Sequence, residues 1–540
     1  MVFIRVHSWF QELFSASLRL HVPMSTLNLG RTGVMRDAMF VTRTTPCATL
    51  ALLACLGATA LVADERPLPT QARDAMAKAT AFMQSISTEG GYLWRYSLDL
   101  KERAGEKAAT PTQIWIQPPG TPSMGVAFLR AWTATKDPRH LDAARGAASA
   151  LATGQLESGG WDYLVEFDPA KASAWFRRTD KGKVPDADAA RRKNSSTFDD
   201  DNSQSALSFL LAYCDATKAA ADTRDARIRE ALDYGLAKLL EAQYPNGAWP
   251  QRYDGRVRNA ADYPIQKATI PKEYPREHSG VNYSRHYTLN DHTQRDCIRT
   301  ALEAFHRTGR REFLDAAKRG GGFFVLAQLP EPQPVWAQQY NARMEPAWAR
   351  AFEPPAACGN ESVGAMRTLV ELFLETGEEK FLAPIPAALA WYERSPLSPG
   401  TWARYYELHT NKPIYGDRDG KIYCNLADIS EERRRGYSWR GEYGVASFRN
   451  FYDDVKRLGR DEWNERHTPK PRTPRRQAEH AASLEPRVKV ILAALDEMGR
   501  WVTKDRNPRA TTAAGDRTDT RLFIANMELL SEYVEAATPR

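Results

Sequence analysis

Apolar residues recur at three- and four-residue intervals along several segments of the chain. In TKDPRHLDAARGAASALATG (135–154), Leu141, Ala144, Ala148 and Leu151 fall on one helical face, which predicts a helix with one buried stripe. TGRREFLDAAKRGGGFFVLA (308–327) and TGEEKFLAPIPAALAWYERS (376–395) repeat that class. A second class precedes it: PSMGVAFLRAWTA (122–134), DNSQSALSFLLAYCDA (201–216), DHTQRDCIRTALEAFHR (291–307) and ESVGAMRTLVELFLE (361–375). Between them, Gln84, Gln155, Gln243 and Gln328 each end a helical stretch and lead through a Gly- or Pro-bearing turn to an aromatic and a Tyr, at intervals of 71, 88 and 85 residues. Such a period suits a helical hairpin plus loops. The expected fold is all-α: an α/α toroid-like barrel of repeated hairpins with long loops at one end. An open stacked solenoid would share the pattern.

The apolar run Pro46 to Ala63, with Arg43 before it and Asp64 and Glu65 after it, reads as a bacterial-type signal peptide. Residues 1–63 are then a targeting segment behind a wrongly extended start, with Met35 or Met39 as the true beginning. A single membrane anchor and a lipoprotein signal (Leu52-Leu53-Ala54 before Cys55) are the alternatives. The expected location is secreted or periplasmic, or lipid-anchored at the outer membrane. Residues 64–540 are expected to form the toroid domain, with a Pro- and Arg-rich loop or linker near 465–485.

Composition narrows the function classes. With 42% hydrophobic and 26% charged residues the chain is ordinary globular material. A mean hydropathy of −0.54 excludes a multispan membrane protein. Cys214, Cys297, Cys358 and Cys424 lie far apart with no CxxC pair, which argues against structural zinc. Of the net charge of +7, +3 sits in residues 1–63 and +4 in the remainder. That excess is compatible with an acidic substrate, but no dense basic stripe points to nucleic acid.

In a toroid the inner-helix starts converge on one end, where free N–H groups and positive dipole ends collect anions and acidic caps. Thr197-Phe198-Asp199-Asp200-Asp201-Asn202 opens one inner helix and Thr288-Leu289-Asn290-Asp291-His292 the next. Superposed by repeat, Asp201 falls on Asp291, Asp200 on Asn290 and Asn202 on His292. Capping explains one acid per helix. Three consecutive carboxylates repel one another unless a cation lies close, and oxygens from two helix starts suit Ca²⁺. His278, His286 and His292 read more simply as hydrogen-bonding residues than as catalysts. Downstream, Arg343 and Arg350 stand beside Trp348 and Phe352, Glu361 opens a helix, Arg404 repeats the Trp-Ala-Arg context, and Lys412 follows. Arginine beside aromatics is either a packing residue or, on loops at one end, a carboxylate clamp.

Five stretches together resemble the pectate lyases of polysaccharide lyase family 10, the pectic acid lyase family: SSTFDDDNSQSALSFL (195–210), LLEAQYPNGAWPQRY (239–253), HYTLNDHTQRD (286–296), PAWARAFEPPAACGNESVG (346–364) and WARYYELHTNKPIYGDRDGKIYCNL (402–426). The resemblance runs over about residues 80–540. It implies a toroid-like fold and Ca²⁺-assisted β-elimination of polygalacturonate, with an arginine as base. That base falls on Arg350. The family's acidic motifs fall on Asp199 and Asp200 as substrate-binding groups and on Asp201 and Asp291 as metal ligands. Arg404 and Lys412 are the further substrate-binding candidates. His292 stands where some relatives carry a second Asp, and the loop between Arg256 and Tyr287 is extended. Three rival readings remain. A triterpene cyclase shares the Q-x-x-x-G-x-W turn of 155–161 and 243–249, but it would need DxDD where this chain has FDDDN. A glycoside hydrolase would pair Asp200 or Asp201 with Asp291. A non-catalytic protein would bind oligogalacturonate without turnover.

Overall fold

A computed structural model of the chain describes residues 66–220, 222–504 and 515–538; the expected signal segment lies outside them. Among the described residues, twelve helices of ten residues or more carry the fold: α1 (Leu68–Ile86), α2 (Thr121–Thr135), α3 (Pro138–Gly154), α4 (Asn202–Thr217), α5 (Ala226–Glu241), α6 (Thr293–Thr308), α7 (Arg311–Ala327), α8 (Glu361–Thr376), α9 (Ile385–Arg394), α10 (Val445–His467), α11 (Pro474–Ala493) and α12 (Thr520–Ala537). Local signals explain their limits. Asp137 caps α3 by accepting from Arg139 N, with Pro138 in the first turn, and Asp519 caps α12 through Arg521 N.

The helices alternate between two rows, as expected of an α/α toroid. The inner row runs α12, α2, α4, α6, α8, α10, each packed on the next. Inner helices are covered from several sides, so Asn202 to Leu211 of α4 are all buried. Outer helices such as α3 bury one stripe, here Ala143, Ala144, Ala147, Ala148 and Leu151. Among the described helices none is long and apolar enough to cross a membrane.

The repeated turns join the outer row. Gln155 Nε2 donates to Gly159 O in its own turn and to Ala231 O of α5, both at 2.8 Å. Gln243 Nε2 does the same to Gly247 O (2.8 Å) and to Ala316 O of α7 (2.9 Å). Gln328 Nε2 reaches Pro334 O and Pro384 O, just before α9, at 2.8 Å each. The aromatic of each turn folds back: Trp161, Trp249 and Trp336 donate Nε1 to Leu151, Leu239 and Phe324 carbonyls. Gln84 does not belong to this set. Gly90 (φ +85°) and Tyr92 occupy the turn's glycine and tryptophan places, and Gln84 offers its carbonyl to Ser87 N. Conversely, Leu495–Trp501 forms such a turn without a glutamine, with Trp501 Nε1 on Ile491 O and Gly499 against the Lys78 carbonyl of α1.

Two expectations change. The stretch 465–485 is mostly helical: α10 runs to His467, and α11 starts at Pro474 behind a Thr473 cap. The loops at the convergent end also contain short strands. Ala357–Cys358, Tyr405–Tyr406, Pro413–Gly416 and Ile422–Tyr423 form an antiparallel four-stranded sheet. Phe352, Ile414, Tyr415, Ile429 and Trp439 give that lobe its own apolar core, which fixes the segment bearing Arg350.

Gly247 has φ +94°, and a Cβ there would stand 2.0 Å from the Arg319 carbonyl of α7; Gly322 in α7 has open space. Gly247→Ala is expected to cost about 2 kcal/mol or more through strain and clash. Gly322→Ala is expected to stabilise by about 0.5–1 kcal/mol through helix propensity. Urea denaturation midpoints of the two variants check both signs.

Candidate active site

Helices α4 and α6 are each entered through one 3₁₀ turn, Asp199–Asp201 and Asn290–His292. In both, the last two residues are left-handed: Asp200 (φ 51°), Asp201 (φ 56°), Asp291 (φ 49°) and His292 (φ 61°). Non-glycine residues rarely adopt that conformation, and consecutive pairs held there concentrate at functional sites. The surroundings repeat as well. Thr197 Oγ1 accepts from Asp199 N, and Thr288 Oγ1 from Asn290 N, both at 3.2 Å. Ser203 and Gln294 accept the Trp161 and Trp249 amides. Asp200 therefore superposes on Asp291, Asp201 on His292 and Asp199 on Asn290, one residue away from the register read from the sequence.

That shift regroups the acids. Carboxylate oxygens of Asp199, Asp200 and Asp291 lie within 4.8 Å of one another. Tyr163 OH donates to Asp199 Oδ2 (3.0 Å) and Asp200 Oδ2 (3.2 Å), and Asn290 Nδ2 donates to Asp291 Oδ2. Asp199 Oδ1 is buried without a partner. Burial, then the charges of Asp199 and Glu106, push the Asp200 carboxyl up to about 6. Burial, then Asp200, Asp199 and Glu361, push Asp291 up to about 8. Solvent reaches Asp291, so the crowding is that of a cleft wall rather than a sealed core. Asp201, expected as a metal ligand beside Asp291, stands outside this trio. Burial and then Asp296 raise its carboxyl, with Arg295 and Arg299 of α6 as its cationic neighbours.

Arg350 stands near enough to the acids for its charge to lower the carboxyls of both Asp200 and Asp291. Its side chain is 43% exposed, lies over the Phe352 ring at 5.0 Å, and donates Nη2 to Glu353 Oε1 at 2.6 Å. Burial acts to lower its pKa, but Glu353, with Tyr437 and Asp291 adding to it, outweighs burial and holds the guanidinium well above its ordinary range. Arg404 is not offered as a clamp. It is buried, paired with Glu361 Oε1 (3.1 Å) and Gln338 Oε1 (3.1 Å), and stacked on Tyr437 at 4.4 Å. Lys412 is exposed beside Glu407, before the strand Pro413–Gly416. His278 meets Ala349 O (3.0 Å) and the Trp348 ring, a loop tie rather than a catalytic contact.

Five site residues were not foreseen: Tyr163, Asn290, Tyr283, Glu353 and Tyr437. Tyr163 ends the Q-x-x-x-G-x-W-x-Y turn, so the repeat itself marked it. Tyr283 comes from the extended loop and shares the field of Arg350, Asp199 and Arg252.

The trio and Arg350 lie inside the span matched by the Pectic acid lyase family profile, residues 155–400 and 395–447, which is more than half of the chain. The chain belongs to the pectic acid lyase family. No curated protein matches it. Among solved structures, a family 10 polysaccharide lyase from Cellvibrio cellulosa is 22% identical, with a TM-score of 0.41 over 62% of this chain and 98% of that one. A variant of that lyase in complex with trigalacturonic acid gives 22%, 0.40, 63% and 98%. A cellobiose 2-epimerase from Bacillus thermoamylovorans is 12% identical, with a TM-score of 0.39 over 86% and 99%.

For this pectic acid lyase family member the raised carboxyls have a sign. An unfolded Asp titrates near about 3.9, whereas Asp200 and Asp291 bind protons more tightly in the fold. Cation-free protein is therefore expected to lose stability as pH rises from about 4 to about 8. Asp291→Asn should match wild type at about pH 3.5, below the unfolded carboxyl's range, and melt higher than wild type above about pH 8. Melting curves in chelator across that range test this, and equal slopes for the two proteins would contradict it.

Proposed function

We propose that this chain is an exported pectate lyase that cleaves polygalacturonate by β-elimination, with Asp199, Asp200 and Asp291 holding Ca²⁺ and Arg350 as the base. The observation that carries the reading is the convergence of three carboxylates opposite one arginine at the toroid's open end. The donor set fits the ion. The oxygens are hard ligands from two helix entries, Asp199 Oδ1 is buried and unpartnered, and mutual repulsion raises two of the carboxyls. Bound there, Ca²⁺ would supply charge that draws electron density from the uronate carboxylate and so acidifies the proton on C5.

The chain's own groups do the rest. Tyr163, kept protonated by burial and by Asp199 and Asp200, holds those two carboxylates by donating to both. Arg350, open to the cleft, takes the C5 proton. The electrons of the broken C5–H bond form the C4=C5 double bond as the C4–O bond breaks, and water protonates the departing oxygen. A guanidinium, with its ordinary pKa above about 12, has no lone pair to accept a proton, so Arg350 acts through its neutral form, having first released one proton to water. Export follows from residues 46–63 as a signal segment, with delivery to the periplasm or beyond.

A hydrolase reading retains one specific support: a carboxyl pushed up to about 8, like that of Asp291, suits a general acid. The product separates the two, because elimination leaves an unsaturated, ultraviolet-absorbing end and hydrolysis does not. Polygalacturonate with the chain from residue 64 onward and added Ca²⁺ is expected to gain absorbance, and chelator to abolish the gain. Arg350→Ala should lower turnover by about 10²-fold or more. Reducing ends without absorbance would overturn the lyase reading.

A further inference from the structure

Arg350 can act on a substrate only if its guanidinium is aimed, and its exposed side chain has four rotatable bonds to fix. The contact that fixes it is Glu353, three residues on. Glu353 Oε1 accepts from Arg350 Nη2 at 2.6 Å, and Oε2 accepts from Arg350 N at 3.1 Å. One carboxylate thus grips the same residue at its backbone and at its tip. The Glu353 N–H closes the turn on Arg350 O (2.8 Å). Glu353 is itself 1% exposed, so it does not reach a polysaccharide. Its Oε1 also accepts from Tyr437 OH at 2.9 Å, and Tyr437 OH lies 3.0 Å from Tyr405 OH, which donates to Gln338 Oε1 at 2.6 Å. Gln338 and the Arg404–Glu361 pair anchor this chain of bonds to the α8 entry. The Tyr437 ring packs edge-on against Phe352, at 5.2 Å, beneath the Arg350 stack.

We infer that Glu353, locked by Tyr437, is the positioning residue that aims Arg350 at the acid trio. The inference rests on the proposed role of Arg350. A buried carboxylate that makes hydrogen bonds from both oxygens to one catalytic side chain and its backbone restricts that side chain to one rotamer. The groups whose charges act with Arg350 are Glu353, Tyr437, Asp291, Asp200, Tyr283 and Arg418. Of these, Glu353 is the strongest opponent of the burial that favours the neutral guanidine.

The test compares Glu353→Gln, Tyr437→Phe and Arg350→Ala with wild type on polygalacturonate with Ca²⁺, reading kcat, KM, the pH profile of kcat and the melting temperature. The expected result for Glu353→Gln is a kcat lower by about 10–100-fold with KM within about threefold. The alkaline part of its kcat profile should move to lower pH, because the strongest opponent of burial is gone and only Tyr437 and Asp291 still raise Arg350. Tyr437→Phe should show the same pattern at about 2–10-fold. Folded Glu353→Gln with wild-type kcat, or with a reduced kcat and an unmoved pH profile, would overturn the positioning role and leave Arg350's role standing. Wild-type turnover by Arg350→Ala would overturn both. If Glu353→Gln does not fold, Tyr437→Phe decides by the same two criteria.

Discussion

A glutamine side-chain amide has two N–H groups, and in Gln155, Gln243 and Gln328 both are donated to backbone carbonyls. One acceptor lies in the turn that the glutamine itself starts. The other lies on, or just ahead of, the next outer helix: Ala231 O, Ala316 O or Pro384 O. Each bond pair is worth only about 1–3 kcal/mol, yet together they set the angular step from one hairpin to the next. The returning tryptophan fixes the same turn from inside, and in the Gln155 and Gln243 turns a left-handed glycine lets the next outer helix approach. Because each step is alike, inner helices begin at the same end. The active site is a consequence of that convergence.

At that end the entries to α4 and α6 share one backbone device that brings acids together. Two successive left-handed residues turn Asp200 and Asp291 toward a common point, with Asp199 beside them. Asp201 and His292, next in the chain, are turned differently, and Asp201 meets Asp296, Arg295 and Arg299. The carboxylates resist one another, as the raised Asp200 and Asp291 show. The opposing charge comes from a separate lobe, where a four-stranded sheet and its apolar core hold Arg350 over Phe352. The toroid supplies the negative wall and the lobe supplies the positive one.

Much of this was legible in the sequence wherever one residue type does one repeated job. The hairpin period, Gln155, Gln243, Gln328 and the acidic helix entries are of that kind, and so is the family resemblance of residues 195–426. Gln84 misled because the first turn is built on Gly90 and Tyr92 with Ile86 at the glutamine place, and Leu495–Trp501 was hidden for the same reason. The register of the acids slipped by one because like was aligned with like, whereas the backbone is set by Thr197 and Thr288. Arg350 and Arg404 share a Trp-Ala-Arg context. Their fates differ because Glu353 leaves one open to the cleft while Glu361 and Gln338 bury the other. Pro474 was read as a loop residue although proline is at home in a first helical turn.

The central claim is that Asp199, Asp200 and Asp291 form a cation site whose cost in repulsion is relieved by the ion. Calorimetric titration of Ca²⁺ into the chelator-treated chain at pH 7.5, repeated in buffers of different ionisation heat, tests it most directly. The account predicts one class of site, proton release on binding as Asp291 ionises, and loss of the site in Asp200→Asn and Asp291→Asn but not in Asp201→Asn. Binding that survives Asp291→Asn unchanged, or no binding by the wild-type chain at millimolar Ca²⁺, would contradict it.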